Sequence, residues 1–271
     1  MTDIAELNAL DSKELAARLT GPPVEAAAFV RSAAEAGSGE AQLVYGQMRL
    51  DGHGVPRAPI DALRWFVRAA QQGHPLGANM VGRCYENGWG IVADAAKAAE
   101  WYEAAAKRGS DWGMYNLATL LALGRGVPPD RTRALALFRK AAARGHAKSI
   151  TMVGGFYEDG WVVARDMAEA ADHYRRGAEA GDFRGMFNHA RMLVDAGDRD
   201  TAIGWLRRLP ASATPAFLDK AAEWLERSGD PALAAMATEL RCMGSQGAAT
   251  LGHADVCNRN NDTVDRPDQL K

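Results

Sequence analysis

The sequence predicts an all-α protein, a right-handed α/α superhelical solenoid of antiparallel helix pairs in 36-residue repeats. Three observations predict it. Gly37, Gly73, Gly109, Gly145 and Gly181 stand 36 residues apart without a slip, and a fixed period of this size marks a stacked-repeat architecture. A second glycine recurs inside each repeat at Gly52, Gly88, Gly124 and Gly160, dividing it into two segments of helical length. Alanine makes up about a fifth of the residues, a composition that suits closely packed helices and not the β-branched demands of a sheet.

The elements follow in order. Asp3 with Glu6, and Asp11 with Glu14, are spaced to start short helices up to Leu19; Pro22-Pro23 introduces another through Phe29 to Ala36. Residues 1–36 are the expected N-terminal cap. Regular repeats then run 37–72, 73–108, 109–144 and 145–180. In the second, Pro75 occupies a first turn, where its missing N–H is not needed, and Gly88 ends the helix. Asp94, Asp130 and Asp166 are placed to cap second helices, Asp166 with Glu169 three residues on, while the first repeat offers Pro59 instead.

Small residues recur on the first helices at Ala41, Gly77, Gly113, Ser149 and Gly185, and again at Gly46, Gly82, Ala118, Gly154 and Ala190. Bulky pairs recur on the second helices at Trp65-Phe66, Trp101-Tyr102, Leu137-Phe138 and His173-Tyr174. Small against large predicts closely approaching axes, and no repeat can bury its apolar face without a neighbour. Ala98, Trp101, Tyr102 and Ala105 are expected to be largely buried, and Cys84 falls in a column otherwise held by Met48, Leu120, Phe156 and Met192. Residues 181–243 are a divergent repeat and C-terminal cap. They contain a helix with Trp205 up to Leu209, then helices near 216–227 and 231–243 that turn Phe217, Trp224, Leu225, Leu233 and Leu240 inward. Residues 1–243 thus read as one solenoid. Residues 244–271, without period or aromatic side chain, read as a disordered tail.

The second repeat resembles the Sel-one-like repeat, a relative of the tetratricopeptide repeat. It carries Gly77, Val81, Gly82, Tyr85, Gly88, Gly90 and Ile91, then Asp94, Ala98, Trp101, Tyr102, Ala105, Ala106 and Gly109. The third repeat supplies Leu117, Gly124, Gly126, Val127, Asp130, Ala134 and Phe138; the fourth supplies Tyr157, Gly160, Asp166, Ala170 and Tyr174, departing at Val162 and His173. The resemblance covers roughly residues 21–208. It implies an adaptor or scaffold that holds a peptide or partner protein, often in bacterial signalling, secretion or envelope control. Some secreted relatives carry a repeated disulfide and have been linked to β-lactams; that cysteine pattern is absent here.

Composition excludes other classes. The net charge of -2 argues against a nucleic-acid binder, and no apolar run is long enough to span a membrane. Three cysteines, Cys84, Cys242 and Cys257, cannot all pair within one chain. With an acidic start unlike a secretory signal, they predict reduced thiols in a cytoplasm. No cofactor is expected. Turns such as Asp51-Gly52-His53-Gly54 follow helices and lack a Gly-Lys-Ser/Thr ending, so they are not phosphate loops. His74 and His146 share the column of Ser38, Ser110 and Asp182 and read as helix-start residues; His173 reads as a packed histidine. No metal-ligand spacing, nucleophile elbow or isolated acid pair stands out, so no metal or catalytic residue is assigned.

What remains is surface. The first helices of such stacks line the concave face. Removing core columns leaves Leu76, Asn79, Arg83, Trp112, Tyr115, Asn116, Met152, Phe187, Asn188 and Arg191 as the partner-binding candidates. Trp89 and Trp161, in one loop column, are candidate rim contacts. Aromatics and arginine supply interface energy, and amides can bond to a bound backbone. Two alternatives stand beside the non-enzymatic adaptor: a small-ligand or hydrolase-like outlier of the family, and a structural homo-oligomer.

Overall fold

Each first helix begins at a polar side chain that accepts a backbone N–H three residues on. Ser38 accepts from Ala41 at 3.3 Å, His74 from Gly77 at 3.2 Å, Ser110 from Gly113 at 3.1 Å, His146 from Ser149 at 3.3 Å and Asp182 from Gly185 at 3.0 Å. A histidine can do this because its Nδ1 lone pair occupies the position of a serine oxygen. The second helices are capped as their aspartates predict. Asp94 accepts from Lys97 N–H at 3.0 Å, Asp130 from Arg133 at 2.9 Å, and Asp166 from Ala168 and Glu169 at 2.9 and 3.0 Å.

The computed structural model describes residues 17–250, with side chains through Gly244. Among them there is helix and turn but no strand. The chain divides into two compact bodies, Met1–Ala134 and Leu135–Lys271. The first contains α1 (Pro23–Glu35), α2 (Gly39–Asp51), α3 (Pro59–Gln71), α4 (Pro75–Asn87), α5 (Ala95–Lys107) and α6 (Asp111–Leu123). The division falls within α7 (Arg131–Ala142). The second body continues through α8 (Ala147–Asp159), α9 (Met167–Glu179), α10 (Phe183–Asp195) and α11 (Arg199–Leu206). A 3-10 turn at Leu209–Ala211 leads to α12 (Pro215–Arg227) and α13 (Pro231–Thr250). Within the first body consecutive helices from α1 to α6 pack on one another, and within the second α8 to α11, and α12 with α13, do the same, so each body is an all-α array of helical hairpins.

The small columns are where helices meet. A Cβ on Gly77 would lie 2.8 Å from the Ala70 nitrogen, and one on Gly82 would lie 2.6 Å from the Tyr102 ring. Gly46 stands in the same relation to Phe66, and Gly154 to Tyr174. The rings at these second-helix positions, Phe66, Tyr102, Phe138 and Tyr174, are all fully buried. A buried tyrosine needs a partner for its hydroxyl. The first helix of the same repeat supplies one: Glu86 accepts from Tyr102, and Glu158 from Tyr174 at 2.6 Å. In the first and third repeats the ring is phenylalanine, and the facing column holds Leu50 and Ala122.

The third glycine of each repeat has its own reason. Gly90, at φ +72°, approaches the start of α3 so closely that a Cβ would sit 2.4 Å from the Pro59 carbonyl oxygen. Gly54 meets the Pro23 carbonyl in the same way. Val162 occupies this column in the fourth repeat and is the described non-glycine residue with positive φ, at 54°.

Three expectations are corrected. Trp101 is half-buried against the α3–α4 core, while Ala98, Tyr102 and Ala105 are buried, so Tyr102 is the anchor of that column. The helix around Trp205 ends at Leu206, and Leu209 enters the core from the following 3-10 turn. The last helix does not stop at Met243. It continues to Thr250, and Gly244 docks against Leu218 of α12. Residues 251–271 of the expected tail, and the short helices expected before Ala17, lie outside the described residues. Cys84 is a buried free thiol, pushed up to about 12 by burial, and Cys242 is exposed.

Candidate partner-binding surface

The first turns of the first helices carry Glu40, Leu76, Trp112, Lys148 and Arg184 in one column. In the first body, α4 brings Leu76 to the surface, 39% exposed, and the adjacent α6 brings the half-buried Trp112. Trp112 stands edge-on to Tyr115, their ring centroids 6.2 Å apart. Tyr115 itself is buried at 5% exposure, so most of its area is already spent within the stack.

The amides expected to meet a partner's backbone bond to each other instead. Asn116 Nδ2 donates to Asn79 Oδ1 at 2.9 Å, joining α6 to α4, and both side chains are buried. Arg83 is likewise buried. Its Nη1 lies 3.8 Å from Met80 Sδ, and its guanidinium stands 5.0 Å from the centre of the Trp89 ring. Trp89 is thereby held at the end of α4 as a half-buried wall that packs on the α3–α4 core.

In the second body the candidates separate. Met152 is half-buried. Phe187 is 2% exposed and lies edge-on to Phe217 and Trp224, with centroids 5.6 and 5.5 Å away. It belongs to the core that α12 and α13 close, and it is not open surface. Asn188 is also buried. Arg191 is half-buried and paired: its Nη2 donates to both oxygens of Glu158, at 2.6 and 2.8 Å. Glu158 therefore serves Tyr174 and Arg191 together. Trp161 packs edge-on to Phe156 at 5.7 Å and seals its loop.

Burial also sets the titration of two groups. The Tyr102 hydroxyl is raised well above its ordinary value by burial, with the Glu86 charge adding to it. His146 is lowered to about 4, mainly by burial and secondarily by Lys148. The second keeps the imidazole neutral, the form that can accept the Ser149 N–H.

A feature missing from the sequence reading is a concavity of about 310 Å³ in the first body, lined by residues of α1, α2 and α3. Its arginines break the repeat pattern: Arg49 stands where Tyr85, Leu121 and Tyr157 occur, and Arg64 where Glu100, Ala136 and Asp172 occur. That departure was the available signal.

The sequence profile of the Sel1 repeat family matches residues 39–74, 75–110, 113–146 and 147–182. No curated protein matches the chain. Among solved structures, the protective antigen c5321 of uropathogenic Escherichia coli, which displays an SLR fold, superposes with a TM-score of 0.64 at 26% identity. That match covers 89% of this chain and 55% of the antigen, so the chain spans little more than half of that relative's length. A Sel1 repeat protein from Oxalobacter formigenes superposes with a TM-score of 0.68 at 21% identity, over 82% of this chain and 99% of the other. Immunity protein Pa5087 from Pseudomonas aeruginosa shares the fold with a TM-score of 0.55 at 17% identity, over 82% of this chain and 87% of the other. Members of this family are commonly protein-interaction scaffolds and generally non-catalytic. With four matched repeats spanning more than half its length, the chain belongs to the Sel1 repeat family.

Proposed function

We propose that this protein is a non-enzymatic adaptor that holds a segment of a partner protein against the first-helix surface of its first body. Family membership supports the class. The observation that carries the surface is the pair of large apolar side chains, Leu76 and Trp112, left accessible on neighbouring helices whose polar neighbours Asn79 and Asn116 are already bonded to each other. Accessible aromatic and aliphatic area beside a satisfied, rigid floor suits an apolar anchor from a partner. Tyr115, Asn79, Asn116 and Arg83 then position this surface, while Trp89 bounds it. In the second body, Met152 and the Arg191–Glu158 pair are the corresponding accessible groups. We also infer a reducing, cytoplasmic setting, supported by the free, buried thiol of Cys84.

The test is Leu76→Ala with Trp112→Ala, measured for melting and for retention of a partner that co-purifies from the native host. Tenfold weaker retention, about 1.4 kcal/mol, with melting nearly unchanged is the expected result. Unchanged retention, or loss only through unfolding, places the functional surface elsewhere.

A further inference from the structure

We propose that the concavity formed by α1, α2 and α3 is a second docking site, for an acidic protein segment that sets a carboxylate beside an apolar side chain. It goes beyond the adaptor surface described above and is independent of it. Tyr45 and Arg49 lie about 200° round α2 from Leu43 and Gln47, which share the columns of Asn79 and Arg83, at roughly 100° per residue.

Charge is the first argument. The concavity holds Arg31, Arg49, Arg64 and Arg68 against two carboxylates, Glu35 and Asp61, a local excess of two positive charges on a chain whose net charge is -2. Both carboxylates are already committed. Asp61 accepts from Arg49 Nη2 at 2.6 Å and from Arg64 Nη1 at 3.0 Å, and Glu35 accepts from Arg31 Nε at 2.8 Å. Arg49 is pinned further by its Nη1, which donates to the Pro56 carbonyl at 3.0 Å. The site is therefore a braced cationic frame.

Arg68 supplies the recognising group. Its guanidinium lies over the Trp65 ring, 4.4 Å from the ring centre, and it forms no ion pair among the described residues. A stacked guanidinium keeps its N–H edge free in its own plane, the geometry that takes a carboxylate through two parallel hydrogen bonds. Trp65 is fixed in turn by Tyr45, edge-on at 5.4 Å, and the half-buried indole gives the ligand an apolar wall next to the charge.

Size and pattern decide the class of ligand. A volume of about 310 Å³ accommodates one or two side chains, the low end of the range for ligand sites. It is too short to track a nucleic-acid backbone, which needs a row of phosphate contacts. The other repeats stack without arginine at the Arg49 and Arg64 columns, so the fold itself does not require this frame.

The test uses the full-length protein, a phage-displayed library of random heptapeptides, and Arg68→Glu protein for counter-selection. Arg68 is exposed, so its reversal is expected to leave melting unchanged; Arg64→Glu, at a second exposed position, checks the result if it does not. Selected peptides should be enriched in Asp or Glu beside an aromatic or aliphatic residue. By calorimetry they should bind at least tenfold more weakly to Arg68→Glu, weaken with added salt, and bind the Leu76→Ala, Trp112→Ala protein as they bind the parent. Peptides without acidic enrichment, or with equal affinity for parent and Arg68→Glu, overturn the proposal. Full displacement by millimolar inorganic phosphate would make this a small-anion site instead. A dimer that Arg68→Glu dissociates would make the occupant a second copy of the chain. Either result also overturns it.

Discussion

At the residue scale, one column of the repeat serves as a helix cap through different chemistries. Ser38, Ser110 and Asp182 cap through an oxygen, whereas His146 caps through a ring nitrogen and only when neutral. Burial lowers His146 to about 4, against about 6.5 in an unfolded chain. Between those values the unfolded state binds the extra proton, so stability is complete above pH 6.5 and falls as pH drops towards 4. The loss should reach up to about 3 kcal/mol. Chemical denaturation at stepped pH should show this slope, and His146→Ser should flatten it; an NMR titration of His146 near 6.5 would remove its basis. Val162 is the opposite case, a residue that its position does not suit. A β-branched residue at φ 54° carries roughly 1–2 kcal/mol of strain. Glycine would relieve that at an entropic cost of about 0.5–1 kcal/mol. Val162→Gly should therefore raise the melting temperature modestly, by about 0.5–1 kcal/mol of stability, and a fall would show that the Val162 side chain packs more than it strains.

At the element scale, the ring on the second helix and the residue facing it on the first form one unit of packing. Tyr102 pairs with Glu86 and Tyr174 with Glu158, while Phe66 and Phe138 sit where the facing columns are Leu50 and Ala122. Removing the hydroxyl alone leaves a part-buried carboxylate without its donor, so Tyr102→Phe should cost about 1–2 kcal/mol. Adding Glu86→Leu copies the Leu50–Phe66 pairing of the first repeat and should recover most of that loss. A double-mutant cycle by urea denaturation measures the coupling, expected within about 0.5–3 kcal/mol. Additive losses would mean that the two side chains do not act as a pair.

At the scale of the whole molecule, a stack must end in a cap. In the second body α12 and α13 cover Phe183, Met186 and Phe187 of α10 with Leu218, Leu225, Leu233 and Leu240. A chain ending at Ser212 would expose that apolar face, and terminal repeats without a polar outer surface lose solubility. Size-exclusion chromatography should show this shortened chain aggregated or insoluble. A monomer with unchanged melting would refute the capping role of α12 and α13.

The 36-residue period, the helix pairs, the caps and the small-against-large columns were all legible in the sequence, because each is a local preference repeated several times. Asp94 caps where any aspartate before a helix would, and Gly82 is small wherever a ring must fit. The end of α13 was not legible. Gly244 and Gly247 weaken a helix locally, and only contact with Leu218 shows why it continues past Met243. The candidate surface was half legible. Periodicity marked Leu76 and Trp112 as non-core, but it also marked Phe187, Asn79 and Asn116. Whether a side chain left over from the core columns meets solvent, another amide or a neighbouring hairpin depends on which helix stands beside it. Leu76 stays open, Asn79 finds Asn116, and Phe187 is covered by α12. The arginine frame around Trp65 is the extreme case, since its members come from three helices and no period relates them. The sequence by itself determined the repeat and its local grammar; tertiary packing decided which surfaces were left over, because exposure belongs to neighbours and not to residues.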